Sequence, residues 1–320
     1  MKIRSIPLAA AVAALAALAG PAAVSATELG RLDITAPGAM ISVCGGLNWS
    51  GSGYAVGDKG VWLPGLASCN AAQTSLPAAT VAQSAAYVVA TPEPVDASAS
   101  GQATMGQLHL YAHSRATPAA GFAQAEATGG WADTLTLTPL NPADIGQTAS
   151  LTFAMHVEGT LAGQDSTSFS FNSGAGLGIK PYVNGASLPP GPGSEFTVSG
   201  QGQWNFPYNQ TLDQTVLFSA NVTLGTPFEL GIFARALAGN SSSGAVYTFN
   251  DATADFSNTL SWAGITALTL NGAPVAYTLA SASGIDWTQP FATPVPEPAT
   301  WALWAGGLLG ICALRRRRQA

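Results

Sequence analysis

The sequence predicts an all-β fold, an antiparallel β-sandwich of jelly-roll type, with a signal helix before it and a transmembrane helix after it. Three observations lead to this prediction. The 320 residues include 36 glycines and 21 prolines, which interrupt helices throughout the chain. Apolar and polar residues alternate with a period of two in many segments. No long helical period occurs outside the two ends.

The first 26 residues predict a secretory signal peptide. Lys2 and Arg4 form a basic start, an apolar run extends from residue 6 to residue 18, and small residues end at Ala26. This order of features is the one that signal peptidase recognises, so we expect cleavage after Ala26 and export of the chain from residue 27 onward.

Period-two alternation predicts the strands of the exported part. In residues 150–158, Leu151, Phe153 and Met155 point one way, and Thr152 and His156 point the other. The predicted strands are 107–113, 131–138, 150–158, 196–204, 213–224, 228–235, 246–250, 259–270 and 275–280. Residues 174–178, Gly-Ala-Gly-Leu-Gly, lack the spacing of a phosphate-binding loop and predict a turn or a bulge.

We assign residues 27–290 to one exported β-sandwich domain. Cys44 and Cys69 are an even pair in an exported segment, which predicts a structural disulfide. Two arrangements are open for the Gly/Ala-rich residues 27–104. They form either a small disulfide-closed subregion before the sandwich or part of one sandwich with a long loop.

The charge pattern excludes nucleic acid as a partner. Residues 27–294 hold 16 of the 17 acidic residues but only five of the eleven basic ones. Binding to nucleic acid needs clustered Lys and Arg. The acidic balance instead favours a soluble protein that does not bind anionic polymers by charge.

No catalytic or cofactor motif is present in the sequence. There is no Gly-x-Ser-x-Gly elbow, dinucleotide fingerprint or P-loop, so we expect no cofactor and no enzymatic activity. A secreted hydrolase whose site forms no motif is an open alternative, because the separation of two carboxylates is a spatial quantity.

Two groups of residues resemble metal ligands only superficially. His109 and His113 share a strand face, but strand geometry separates them by roughly 13 Å, too far for one zinc ion. Asp251 and Asp255 lack the calcium-loop pattern. We expect no metal site and a solvent-facing strand at residues 107–113.

Aromatic residues give the best indication of a ligand. Trp204 and Tyr208 lie among amide side chains, and flat rings beside hydrogen-bonding groups suit a sugar ring. They are therefore candidate glycan contacts. The alternative is that the tryptophans and tyrosines in Gly-rich segments close the ends of the sandwich core: Trp49, Trp62, Trp204, Tyr208, Trp262 and Trp287.

The C-terminus predicts a membrane-directed tail. A proline-rich stretch, residues 288–298, leads into a tail that we place at residues 291–320. Its apolar run, residues 299–314, makes a helix of about 24 Å, short but workable as a transmembrane span. Four arginines come next, Arg315, Arg316, Arg317 and Arg318. Arginines beside a span stay on the cytoplasmic side, so the domain lies across the membrane.

The order Val295-Pro296-Glu297-Pro298, apolar helix, arginine cluster resembles the PEP-CTERM sorting signal. The resemblance implies recognition by exosortase, a membrane enzyme, and removal of the tail as the protein reaches the cell surface. The looser similarity of residues 253–260 and 281–284 to segments that precede this tail implies closing strands of a β-domain. Pro92-Glu93-Pro94 has no apolar run after it and predicts a linker. A permanent membrane anchor is the alternative to a removable tail.

The resemblance also implies an exopolysaccharide or biofilm setting. We therefore expect a non-enzymatic surface or matrix protein, exported across the inner membrane and found at the cell surface or outside the cell. If the tail stays, the protein is membrane-anchored. Exosortase and signal peptidase are the expected partners during export, and exopolysaccharide is the expected partner afterwards. A carbohydrate-binding module or adhesin that uses exposed Trp and Tyr is the first alternative, and the hydrolase is the second.

Overall fold

The fold is given by a computed structural model. It describes residues 34, 36–48, 55–56, 68–76, 79–89, 95–116, 122–165, 173–189, 191–202, 207–241 and 250–291. The predicted signal peptide and the apolar run of the tail lie outside the described residues.

The described chain is built almost entirely from strands. They are β1 (Gly38–Asn48), β2 (Ala55–Val56), β3 (Ser68–Thr74), β4 (Val81–Val89), β5 (Val95–Thr104), β6 (Gln107–Ala116), β7 (Phe122–Pro139), β8 (Thr148–Asp165), β9 (Ser173–Val183), β10 (Ala186–Ser187), β11 (Phe196–Gly202), β12 (Tyr208–Thr223), β13 (Phe228–Ser241), β14 (Asn250–Leu270), β15 (Ala273–Pro274) and β16 (Tyr277–Ser281). A 3-10 turn at Pro142–Asp144 is capped by the side chain of Asn141.

The strands form two antiparallel sheets that pack face to face. Sheet A has the order β10-β9-β13-β7-β1-β2, with β11 beside β9, β16 beside β7 and β3 beside β1. Sheet B has the order β12-β8-β14-β6-β5-β4, with β15 beside β14. Buried side chains of both sheets share one core. The predicted antiparallel β-sandwich is confirmed.

The alternation of β6 shows why these segments become strands. Leu108, Leu110 and Ala112 point into the core and are fully buried. His109 and His113 point outward on the opposite face. One face of the strand therefore buries apolar area while the other stays at the surface, and the solvent-facing strand predicted here is confirmed.

The turn predicted at residues 174–178 is wrong, because this segment lies within β9. Ala175 and Leu177 point into the core, and β9 is hydrogen-bonded to β11 on one side and β13 on the other. The alternation is present, but its outward positions are glycines rather than polar residues. Their small size hid the polarity pattern on which the strand prediction depended.

A bulge in β14 defines the local packing of sheet B. The register against β8 shifts between Asp255 and Thr259, so the bulge lies opposite Gly159. The ring of Phe256 and the carbonyl of Asp255 approach Gly159 so closely that a Cβ there would lie 2.4 Å and 2.5 Å from them. The strand predicted at residues 259–270 is longer in the structure, because β14 starts at Asn250 and continues through this bulge.

Candidate functional site

Aromatic rings fill the part of the core from which the chain leaves the sandwich. Trp131 of β7 stacks on Trp287, with ring centroids 4.4 Å apart and ring planes 16° apart. Trp262 of β14 meets both rings edge-on, at 5.5 Å and 5.3 Å. Phe153 of β8 stacks on Trp262 at 5.3 Å. Because all four rings are fully buried, Trp262 and Trp287 close the core and offer no exposed surface to a ligand.

A buried carboxylate lies beside these rings. Asp133 is on the inward face of β7 and is fully buried. Its Oδ1 accepts the backbone N–H groups of Thr134 (2.8 Å) and Ser283 (3.2 Å). Its Oδ2 accepts the hydroxyl of Ser283 and the indole N–H of Trp287, the latter at 2.7 Å. Four donors thus compensate for the removal of this carboxylate from water.

Three of these donors come from one short segment, residues 282–291, which we call the C-terminal latch. The latch begins where the Ala282 N–H donates to the carbonyl of Thr134 in sheet A. In sheet B, the Trp287 carbonyl accepts the indole N–H of Trp262 at 2.8 Å and the backbone N–H of Ile265 at 3.1 Å. The latch therefore joins the two sheets.

Phe291, the last residue that the structure describes, also contacts the sandwich. The Phe291 N–H donates to the carbonyl of Trp262 at 2.9 Å, and its ring covers Gly106 in the turn between β5 and β6. Gly106 has φ +81°, and a Cβ there would lie 2.7 Å from the Phe291 ring. Pro290 lies within this docked segment. The stalk predicted from residue 288 therefore begins no earlier than residue 292.

The side chain of Asp286 forms hydrogen bonds within the latch. Its Oδ1 accepts both the backbone N–H and the hydroxyl of Thr288, at 3.0 Å and 2.6 Å. The Thr288 carbonyl lies next to Gly264, which has φ +100° and would place a Cβ 3.0 Å from that oxygen. A side chain at residue 264 would therefore adopt a strained backbone conformation and press against the latch at Thr288.

All three histidines lie on the outer face of sheet B. His113 is held between Asp96, at 3.3 Å, and Asp251, at 3.2 Å. Hydrogen bonds that the His113 ring donates to Asp251 and Asp96 raise the pKa of His113 to about 9, and burial opposes the shift. His156 lies 3.5 Å from Asp213, and His109 contacts the carbonyl of Ser257 at 2.7 Å. In the part of the chain that the structure describes, no three metal-ligating side chains are grouped around a common point.

The other predicted aspartate has a local role. Asp255 accepts the backbone N–H and the hydroxyl of Ser257, at 3.0 Å and 2.6 Å. The two aspartates singled out in the sequence, Asp251 and Asp255, thus bind different partners.

Of the two candidate glycan residues, the structure describes only Tyr208. Trp204, Trp49 and Trp62 lie outside the described residues. Tyr208 starts β12, and its ring lies directly over Gly200 of β11. It is packed against the core, and burial raises the pKa of its phenol. Contact with a sugar at Trp204 or Tyr208 stays a prediction.

Cys44 lies on the outer side of sheet A. Cys44 is disulfide-bonded, and the residue directly opposite it on β3 is Cys69. A disulfide between directly opposed residues would fix β3 at the edge of the sheet. Nearby on the same face, Arg235 forms an ion pair with Glu126 at 2.5 Å. Thr128 also donates to Glu126, at 2.8 Å.

Sequence reasoning missed Asp133 and Ser283. The signal for Asp133 was its position, because it continues the inward series of Trp131, Leu135 and Leu137 in β7. A carboxylate at an inward position requires several donors nearby. Nothing local to β7 indicates that those donors come from residues 283 and 287.

Among known proteins, one comparison bears on the C-terminus. Residues 294–318 match the model of the PEP-CTERM protein-sorting motif. The match begins three residues after Phe291, the end of the docked latch. No curated protein matches the chain. Among the described residues, no helix is long and apolar enough to span a membrane. Ala26 and the predicted span 299–314 lie outside those residues.

Proposed function

We propose that this chain, which carries the PEP-CTERM sorting motif at residues 294–318, is a non-enzymatic surface or matrix protein of an exopolysaccharide or biofilm layer. The motif implies export and exosortase-dependent placement at the surface or in the membrane. In the proposal, the sandwich is the exported module, and the tail positions it and is then removed. One observation carries the proposal: the sorting motif follows directly after the end of a closed β-domain.

The contacts of the titratable groups support a non-enzymatic role. His113 is bound on both ring nitrogens by carboxylates, and Asp133 is bound by four donors within the core. Arg235 forms an ion pair with Glu126. Each of these groups serves the fold, whereas a general acid or base must be able to exchange a proton with substrate. We expect the exported domain to be inactive on glycoside, ester and peptide substrates.

The exposed face of sheet B supports a matrix setting. Short hydroxyl side chains face outward on neighbouring strands, and Thr152 of β8 and Ser219 of β12 approach each other at 3.4 Å. Such groups donate and accept hydrogen bonds as sugar hydroxyls do. We expect the protein to sediment with polysaccharide from its own matrix.

Replacement of Pro296-Glu297-Pro298 by three alanines tests the proposed sorting. We expect the variant to remain uncut in the membrane fraction, because the processing enzyme can no longer recognise its substrate. The same replacement at Pro92-Glu93-Pro94 is a matched control that changes an identical tripeptide lacking the apolar run. Normal release of the tail variant, or equal retention of both variants, would refute the proposal.

A further inference from the structure

We infer that the C-terminal latch sets the length of the tether between the folded domain and the sorting tail, and thereby slows processing of the tail while it is docked. The inference rests on the proposed function. In this inference, processing depends on a contact outside the sorting signal as well as on the signal's own sequence. That contact is the docking of residues 282–291 on Asp133, Trp131, Trp262 and Gly106.

The docked latch leaves a short tether. Phe291 is fixed by its N–H bond to the Trp262 carbonyl and by its ring on Gly106. An extended chain spans at most about 3.6 Å per residue, so Pro296 lies at most about 18 Å from Phe291. By the same rule, the apolar run that starts at residue 299 is at most about 29 Å away.

This short tether keeps the folded sandwich close to the membrane surface. β14 (Asn250–Leu270) has 21 residues, so along its strands the sandwich is longer than the tether. Exosortase, a membrane enzyme, must reach a tripeptide that lies between this domain and the bilayer. Crowding by the docked domain is therefore expected to restrict its access.

Release of the latch removes this restriction. Freeing residues 282–291 adds ten residues, or about 34 Å of extended chain, to the tether. Release is costly, because Asp133 would lose three of its four donors and Trp287 would leave its stack with Trp131. The folded domain therefore keeps the tether short, and loss of the latch contacts lengthens it.

A spacer insertion tests this inference in the full-length protein expressed in its native host. Ten Gly/Ser residues inserted after Phe291 lengthen the tether without removing any described contact. We expect the tail to be cut several-fold faster, as measured by pulse-chase and by the mass of the C-terminal fragment. The matched control carries the same ten residues in the exposed turn between Asn271 and Gly272, which leaves the tether unchanged.

A second variant tests the latch itself. Asp133→Asn keeps the size of the side chain but replaces one accepting oxygen with a donor, and Trp287 and Ser283 both donate to Oδ2. We expect faster processing, and no further gain when the spacer is added, because the tether is already long. Protease resistance of the domain separates loss of the latch from global unfolding.

The outcomes separate the two proposals. If the spacer leaves the rate unchanged or lowers it while the Pro296-Glu297-Pro298 variant stays uncut, the latch inference is overturned and the proposed sorting stands. If the tripeptide variant is processed normally, the proposed function itself fails. Equal acceleration by the spacer and by the control insertion would also overturn the latch inference.

Discussion

The indole N–H of Trp287 donates to the buried carboxylate of Asp133 across 2.7 Å, joining residues 154 positions apart in the chain. Through this bond, a segment that enters no long strand becomes part of the core. The bond also couples the last elements of the domain to β7, a central strand of sheet A. The domain can therefore form all of its core contacts only when the chain is present up to Phe291, shortly before the sorting motif.

The latch should therefore contribute strongly to stability. We expect Trp287→Ala to lower the free energy of unfolding by about 3–5 kcal/mol, because it removes a fully buried ring and leaves Asp133 short of a donor. Chemical denaturation of the purified protein measures the loss. Leu217→Ala, at a position 54% exposed, is the control, with a change within about 0.5 kcal/mol. Equal effects of the two substitutions would contradict the assigned role of the latch.

His113 should make stability depend on pH at alkaline values. Its pKa is raised to about 9 in the folded protein, from 6.5 in the unfolded chain. The raised pKa means that its ion pairs with Asp96 and Asp251 are fully present below pH 6.5 and are lost as the pH rises through about 9. Stability should fall across this window. In His113→Gln the fall should disappear, and a fall of the same size in that variant would show that another group is responsible.

Gly159 should not tolerate a side chain. A Cβ at this position would lie 2.5 Å from the Asp255 carbonyl, and backbone atoms in a sheet cannot move aside. We expect Gly159→Ala to destabilise the protein by about 1–3 kcal/mol in thermal or chemical unfolding. Gly191→Ala is the matched control, because its Cβ would meet no atom closer than 4.0 Å. If both variants unfold alike, the close packing of the β14 bulge on β8 is contradicted.

The disulfide of Cys44 should stabilise the edge of sheet A. We expect Cys69 to be its partner, since the two residues are directly opposed on β1 and β3. Removing the disulfide with the double substitution Cys44→Ala and Cys69→Ala should lower the free energy of unfolding by roughly 3 kcal/mol in the chain-entropy model. Peptide mapping of unreduced protein identifies the partner. Two free thiols in the exported protein would disprove the pairing.

Local pattern predicted much of the sandwich, and contacts between distant residues explain what it missed. The alternation in β6 and β8 is visible because polar side chains occupy the outward positions. In β9 those positions are glycines, which hid the strand. The donors to Asp133 could not be predicted, because a strand pattern gives the direction of a side chain and not which distant segment meets it. The sorting tail was predictable, because its order of features is contiguous in sequence.

The most direct test of the account is the intact mass of native protein from surface, membrane and medium fractions. We predict a species outside the cell that begins at Thr27 and ends between residues 292 and 298, with the latch retained and residues 299–320 removed. A protein that keeps Trp301 to Ala320 in every fraction would contradict removal of the tail and make it a permanent anchor. A protein found only inside the cell would contradict export itself.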